Sequence, residues 1–385
     1  MMRIIARSRS LSVAPANEVR RSMESSIVRK LSAVLLGIWA ITCQAQNHHY
    51  VVTDLGTQSG ASTVARKINA WGHAAATSGE RDGGRAHAAF WRDSTKSLVS
   101  VSTLEDSDYS EATSINNRGE MAGLSNTSTN MHAVLWSTSG AIKDLGALPG
   151  DTSSRAFAIN DQGKVVGLSS GSRGERAFIW ALDGMVSIKV PPGTTSSEAH
   201  GINNRDQVVG HFRGPAGIHA FLWAPGSPFR DLGVLPGHHT SKAIGINDSG
   251  EVVGSSSGPF DTRSFLWTPT EGMKAIEDIP SEEFSEALDI NNHSEVVGTY
   301  ERSLGNRAYL WTRKNGFADL NTLIPGGSGL VLTMAISIND RGQILAIGMA
   351  HPDISSERRM DADEGDDLHS VDIHSFVLTP TSAPP

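Results

Sequence analysis

Everything in this chain falls into register around one stretch, Ala156-Phe157-Ala158-Ile159-Asn160-Asp161-Gln162-Gly163-Lys164-Val165-Val166-Gly167. Its Ile-Asn step recurs at Asn69, Asn116, Asn160, Asn203, Asn247, Asn291 and Asn339, with spacings of 47, 44, 43, 44, 44 and 48 residues. A period of that length marks a repeat architecture in which each copy is one supersecondary unit.

The register extends on both sides. Four residues before each asparagine stands an alanine (Ala65, Ala112, Ala156, Ala199, Ala243, Ala287, Ala335), and six before stands Ser or Thr, from Thr63 to Thr333. Three after is usually Gly, with Asp206 and Ser294 as exceptions. Seven after is Gly or Ala, and twenty after (22 in the first copy) is Trp, from Trp91 to Trp311; in the seventh copy Leu378 takes that place, after an insertion.

Each copy reads as four short strands. The first ends at Ile-Asn. An Asn-Asp-x-Gly segment then turns the chain, since Asn and Asp side chains bond their own backbone and Gly accepts positive φ. Val-Val-Gly, a His-Ala-Phe-Leu-Trp run clearest at His219 to Trp223, and Asp-Leu-Gly supply the other three strands. Four strands in about 44 residues is the length of a propeller blade. Both faces of such a sheet are apolar and need a neighbouring blade on each side. Small alanines on the first strand suit crowding near an axis.

The chain ends point to closure. Tyr50 to Gly56 has the form of a fourth strand without its first three, and Ser375 to Leu378 that of a third strand without its fourth. Pairing them completes a seventh blade and removes the exposed sheet edges that an open solenoid would have to cap. The expectation is an all-β, seven-bladed propeller of four-stranded blades over residues 50–380, with the last blade closed by strand 50–56 on strand 374–379. A monomer is expected.

Composition agrees with a folded, turn-rich chain. Among 385 residues, 39 are Gly and 38% are hydrophobic, too apolar for disorder. Residues 1–45 read as a secretion signal: Arg29 and Lys30, the uncharged run Leu31–Thr42, then Cys43-Gln44-Ala45. Met23 is an alternative start. Other readings of the segment are a buried helix, or a lipid anchor through Cys43. Once residues 1–45 are removed, no cysteine remains, so the mature chain has no disulfide and no thiolate metal site. It carries 26 basic and 39 acidic residues, a net charge of −13 that repels phosphate backbones, and nucleic acid is excluded as a partner. No transmembrane segment is expected in it.

The combined motifs resemble the extracellular HAF-repeat family of bacteria. The naming triplet is complete at His219-Ala220-Phe221 and partial in the other copies. The Ile-Asn-Asp-x-Gly-x-Val-Val-Gly turn and the Asp-Leu-Gly-x-Leu-x-Gly segments Asp144–Gly150 and Asp231–Gly237 also match. The resemblance spans about residues 50–380. It implies a secreted bacterial repeat protein and brings no catalytic residues.

Candidate functional positions are few. The third strand opens on His or Arg in every copy: His87, His132, Arg176, His219, Arg263, Arg307 and His374. These residues could ring one ligand site. A device present in every copy is better explained by one structural hydrogen bond per blade, to the repeated Ser/Thr or Asn. The Asn-Asp-x-Gly turns offer too few carboxylates for calcium loops. An acidic insertion at 351–369 breaks the period of the seventh copy, and its Asp361, Asp363, Asp366 and Asp367 are candidate Ca²⁺ ligands. Acidic runs are more often simply solvated. No other metal and no cofactor are expected. The sequence contains no zinc-protease motif and no phosphate loop. The leading functional reading is a non-enzymatic extracellular module that binds a glycan or a protein. The alternative is a secreted carbohydrate-active hydrolase or lyase, which should show a symmetry-breaking cluster of carboxylates or histidines at the ring mouth.

Overall fold

The computed structural model describes residues 50–57, 62–79, 86–105, 107–280, 283–303, 305–350 and 373–381. The N-terminal segment 1–45 and the acidic stretch 351–369, with its four candidate aspartates, lie outside them.

The described strands form seven four-stranded antiparallel sheets. In six of them the strands follow one another in sequence, as in blade 4: Ser196–Ile202, Val208–Gly214, Gly217–Trp223 and Arg230–Gly233. The seventh is composite. Leu330–Ile338, Ile344–Ala350 and Ile373–Pro380 come from the C-terminal part, and Tyr50–Asp54 completes the sheet, pairing Tyr50 with Pro380 and Asp54 with Phe376. The closing strand is two residues shorter than the sequence suggested, because Asp54 accepts a hydrogen bond from the Gly56 amide and turns the chain out of the ladder. The fold is a seven-bladed β-propeller with its ring closed at the seventh blade.

The cores lie between blades, as two-faced sheets require. One cluster joins Val209, Ala220 and Leu232 of blade 4 to Ala243, Val252, Phe265 and Trp267 of blade 5. At the seam, Leu55, Leu345 and Val377 of blade 7 pack on Ala65, Ile68 and Trp91 of blade 1. Phe178, Phe221 and Phe265 are completely buried, and burying each such side chain contributes about 2–3 kcal/mol.

Two local features build the axis. First, the asparagine turns adopt one conformation in every copy. Gly72, Gly119, Gly163, Gly250 and Gly342 have φ between 71° and 82°, and the exceptions Asp206 and Ser294 take the same left-handed conformation at 60°. Second, every first strand carries a β-bulge just after its alanine, for instance between Ala199 and Gly201. The same shift occurs in the other six blades. The bulge pushes the backbone toward the second strand. A Cβ on Gly210 would sit 1.9 Å from the Glu198 carbonyl oxygen, which is why glycine occupies that position in five copies. A bulge also redirects one side chain. Here the redirected residue is the one three before the asparagine, and it faces the axial channel.

Candidate functional site

The axial channel is built from the seven first strands, and its two ends differ in kind. At one end, each buried asparagine holds its own turn and the next blade together. Asn160 Oδ1 accepts hydrogen bonds from the Gln162 and Lys164 amides, and its Nδ2 donates to the Asn203 carbonyl. The Nδ2-to-carbonyl bond passes from blade to blade at 2.8–3.1 Å until Asn339 returns it to Asn69, making a closed ring of seven. These residues bound a small cavity of about 140 Å³ at the ring mouth.

A second ring lies on the first and is incomplete. The residue after each asparagine donates its backbone N–H to the Oδ1 of its counterpart in the next blade, through Asn117, Asp161, Asn204, Asp248, Asn292 and Asp340, at 2.8–2.9 Å. Amides and carboxylates alternate, and Asn204 Nδ2 bridges Asp161 and Asp248. The first copy breaks the ring with Ala70, followed by Trp71, whose side chain is 56% exposed. The Trp71 indole N–H donates to the Asn117 carbonyl at 3.0 Å, and the Arg341 guanidinium lies 5.2 Å from the ring centroid. Trp71 borders a cavity of about 540 Å³ also lined by His73, Phe90, Arg92 and Val99. Burial, and then the Arg92 charge, hold the His73 imidazole below its ordinary pKa.

Further along the channel the bulge residues Arg66, Thr113, Phe157, His200, Ile244, Leu288 and Ile336 line a cavity of about 170 Å³. Lys67 reaches across blade 7 to the carboxylate of Asp289, with N–O distances of 2.8 and 2.7 Å. Asp289 also accepts hydrogen bonds from the Ser337 hydroxyl and the Ile338 amide, so this buried carboxylate is fully engaged.

Blade 4 departs from the rest in chemistry. Glu198 pairs directly across the ladder with His211, and His200, two residues on, swings out on the bulge. His200 Nε2 lies 3.2 Å from His211 Nδ1 and 3.5 Å from a Glu198 oxygen, and His211 Nε2 lies 3.5 Å from the other oxygen. Phe157 stacks on His200 with centroids 4.9 Å apart. Burial, reinforced by the His211 and Lys242 charges, lowers the His200 pKa to about 3. Burial, with Lys242 and Arg213, lowers that of His211 to about 4. Both rings are therefore neutral near pH 7. Burial and the Glu175 charge raise the Glu198 pKa, against the opposing pull of Lys242 and Arg155.

The third-strand cations do not converge on a site. His132, His219 and His374 each pair through Nδ1 at 2.9 Å with the aspartate of an Asp-Leu-Gly segment, Asp144, Asp231 and Asp54 respectively. The partner is thus the neighbouring fourth strand, not the repeated Ser/Thr or Asn expected from sequence. The repeat serines instead tie blades together, as where Ser241 Oγ accepts from the Ala220 amide. The arginines find individual partners. Arg176 pairs with the buried Asp151 and Arg263 with Asp261, while Arg307 donates to the Asn306 carbonyl. His87 is the second residue of the third strand of blade 1, Ala86–Arg92.

Sequence reading overlooked the Glu198–His200–His211 group and took the seventh-copy insertion as the one strong departure from symmetry. A signal was present: in copy 4 alone, both the position three before the asparagine and that eight after it are histidine. Only the bulge and the strand register show that the two meet.

No protein-family model and no curated protein sequence matches the chain. Solved structures do. The β-propeller domain of the Trilobed protease from Pyrococcus furiosus superimposes with a TM-score of 0.55 at 9% identity, over 86% of this chain and 97% of that one. Virginiamycin B lyase from Staphylococcus aureus, in a catalytically inactive form with quinupristin, gives 0.52 at 10% identity, over 86% and 99%. Acylaminoacyl peptidase from Pyrococcus horikoshii gives 0.51 at 12% identity, over 75% of this chain but 49% of the peptidase. This chain therefore spans about half of that enzyme's length. What these proteins share with it is the propeller. The Pyrococcus furiosus domain is described as having an open velcro topology, whereas here the two ends pair within one sheet. Among the described residues, no helix is long and apolar enough to cross a membrane.

Proposed function

We propose that this chain is a secreted bacterial binding propeller of the HAF-repeat kind that recognises an oligosaccharide on its asparagine-ring face. The observation carrying this reading is the break at Ala70-Trp71. Six copies place an amide or carboxylate in the outer ring, and the first places a half-exposed indole beside a cavity. An aromatic face next to fixed amides, carboxylates and an arginine suits a sugar, whose C–H face stacks and whose hydroxyls need both donors and acceptors. The negative net charge disfavours nucleic acid as the occupant. Residues 1–45 act as the leader in this reading. N-terminal sequencing of protein recovered from the culture medium tests export and distinguishes cleavage near Ala45 from acylation of Cys43.

A glycan array with the full chain and with Trp71→Ala tests the ligand class. Binding that falls at least tenfold in the variant is expected; unchanged binding, or binding to peptides alone, would overturn it. The Glu198–His200–His211 group favours a second reading, a carbohydrate-active hydrolase or lyase, because it is the symmetry-breaking cluster such an enzyme requires. Turnover of an array hit, lost on replacing Glu198, would favour the enzyme over the binding module.

A further inference from the structure

We propose that Glu198, His200 and His211 form a binding site for a divalent transition metal of the Zn²⁺ type on the wall of the axial channel. One ligand atom from each residue lies within 4.8 Å of the other two. Two nitrogens bound to one tetrahedral Zn²⁺ are separated by about 3.3 Å, given Zn–N bonds of about 2.0–2.1 Å. The His200 Nε2 to His211 Nδ1 separation is 3.2 Å and the His200 to Glu198 separation is 3.5 Å, so two edges of the tetrahedron already stand near their metal-bound lengths. Two imidazoles and one carboxylate suit zinc, nickel or iron and not calcium or magnesium, which take oxygen ligands.

The placement is specific to one blade. The counterparts of His200 are Arg66, Thr113, Phe157, Ile244, Leu288 and Ile336, and those of His211 are Thr77, Leu124, Leu168, Ser255, Thr299 and Ile347. All seven blades form the same bulged strand pair with these different residues, so the fold has no need of the two histidines. Among the described residues, the two imidazoles are the ion-pair partners of Glu198 within 4 Å. Lys242, Arg155 and Arg213 face the group from a greater distance and weaken its hold on a cation without occupying it. The Phe157 ring fixes the orientation of His200, as a ligand needs. His200 is also the member that lines the axial cavity, so a fourth ligand, water or a substrate oxygen, enters from that side. Three protein ligands with one open position is the arrangement of a catalytic rather than a purely structural zinc.

The test is calorimetric titration of the untagged full chain with Zn²⁺ alone, repeated on His200→Ile and His211→Ser. Each variant installs a residue that a sister blade carries at that position, which protects the fold. The expected result is one equivalent of Zn²⁺ on the unmodified chain, weakened at least about tenfold in either variant, with unchanged melting temperatures in EDTA. Co²⁺ added to the unmodified chain should give the visible bands of a four-coordinate nitrogen–oxygen site. Absence of Zn²⁺ binding, undiminished binding by either variant, or a purely octahedral Co²⁺ spectrum would overturn the proposal.

Discussion

Three residues apart on the same strand, the chain presents two rings that obey opposite rules. The asparagines at the channel mouth are the same residue in all seven blades, buried, and bonded each to the next. The bulge residues are Arg, Thr, Phe, His, Ile, Leu and Ile, and they share a backbone conformation but no chemistry. Both rings come from one duplicated unit, so the difference lies in what each position must do. An asparagine supplies two accepted bonds to its own turn and one donated bond to the neighbour, a set no other side chain reproduces. The bulge residue points into a channel, where the fold makes no such demand and function can select the side chain.

This contrast can be broken most severely at the seam. A chain lacking residues 50–57 loses the fourth strand of blade 7, with the buried Tyr50 and Leu55. Such a chain should lose cooperative thermal unfolding, and a single sharp transition would show that closure is dispensable. Next in size, Asn247→Ala removes two accepted bonds and two donated ones, to the Asn291 carbonyl and the Glu251 carboxylate. At about 1 kcal/mol per bond it should destabilise by about 4 kcal/mol in urea denaturation. Leu288→Ile, which exchanges one bulge occupant for another, should change stability by less than about 1 kcal/mol. Equal effects at Asn247 and Leu288 would erase the distinction between the rings.

The histidine pair sharpens the comparison through pH. Both rings have folded pKa values, about 3 and about 4, below the unfolded value near 6.5. The unfolded chain therefore binds more protons as pH falls below 6.5, and the stability present above that pH is lost toward pH 4. In metal-free buffer, the double variant His200→Ile, His211→Ser should lose less stability than the unmodified chain on going from pH 7 to pH 5, by about 4 kcal/mol, about 2 from each ring. Parallel pH profiles of melting temperature would contradict the buried, neutral state of the pair. The smallest effect belongs to His219→Ala, which deletes a surface-side pair with the 45%-exposed side chain of Asp231 and should cost about 0.5 kcal/mol.

Periodicity carried much of the architecture into view before any coordinates. The seven blades, the composite seam and the turn geometry all follow from local rules: a period, a strand pattern and a need for positive φ. The partners of the repeated histidines did not follow. His219 and Asp231 are twelve residues apart, and which fourth-strand side chain faces which third-strand one depends on a ladder register that strand propensity leaves open. Likewise the asparagine ring closes through bonds between residues 43 to 48 positions apart, and once between Asn339 and Asn69, 270 apart.

Local sequence determines what repeats, because strands, turns and interblade layers answer to neighbours a few residues away. Tertiary structure determines what converges. Copy 4 shows the two levels meeting: the sequence places Glu198, His200 and His211 within fourteen residues of one another. An added residue in one strand and the pairing of Glu198 with His211 bring three ordinary side chains to one point on the channel wall. Side-chain direction in a strand alternates by residue, and one bulge resets it. No reading of residue types alone could have aimed them.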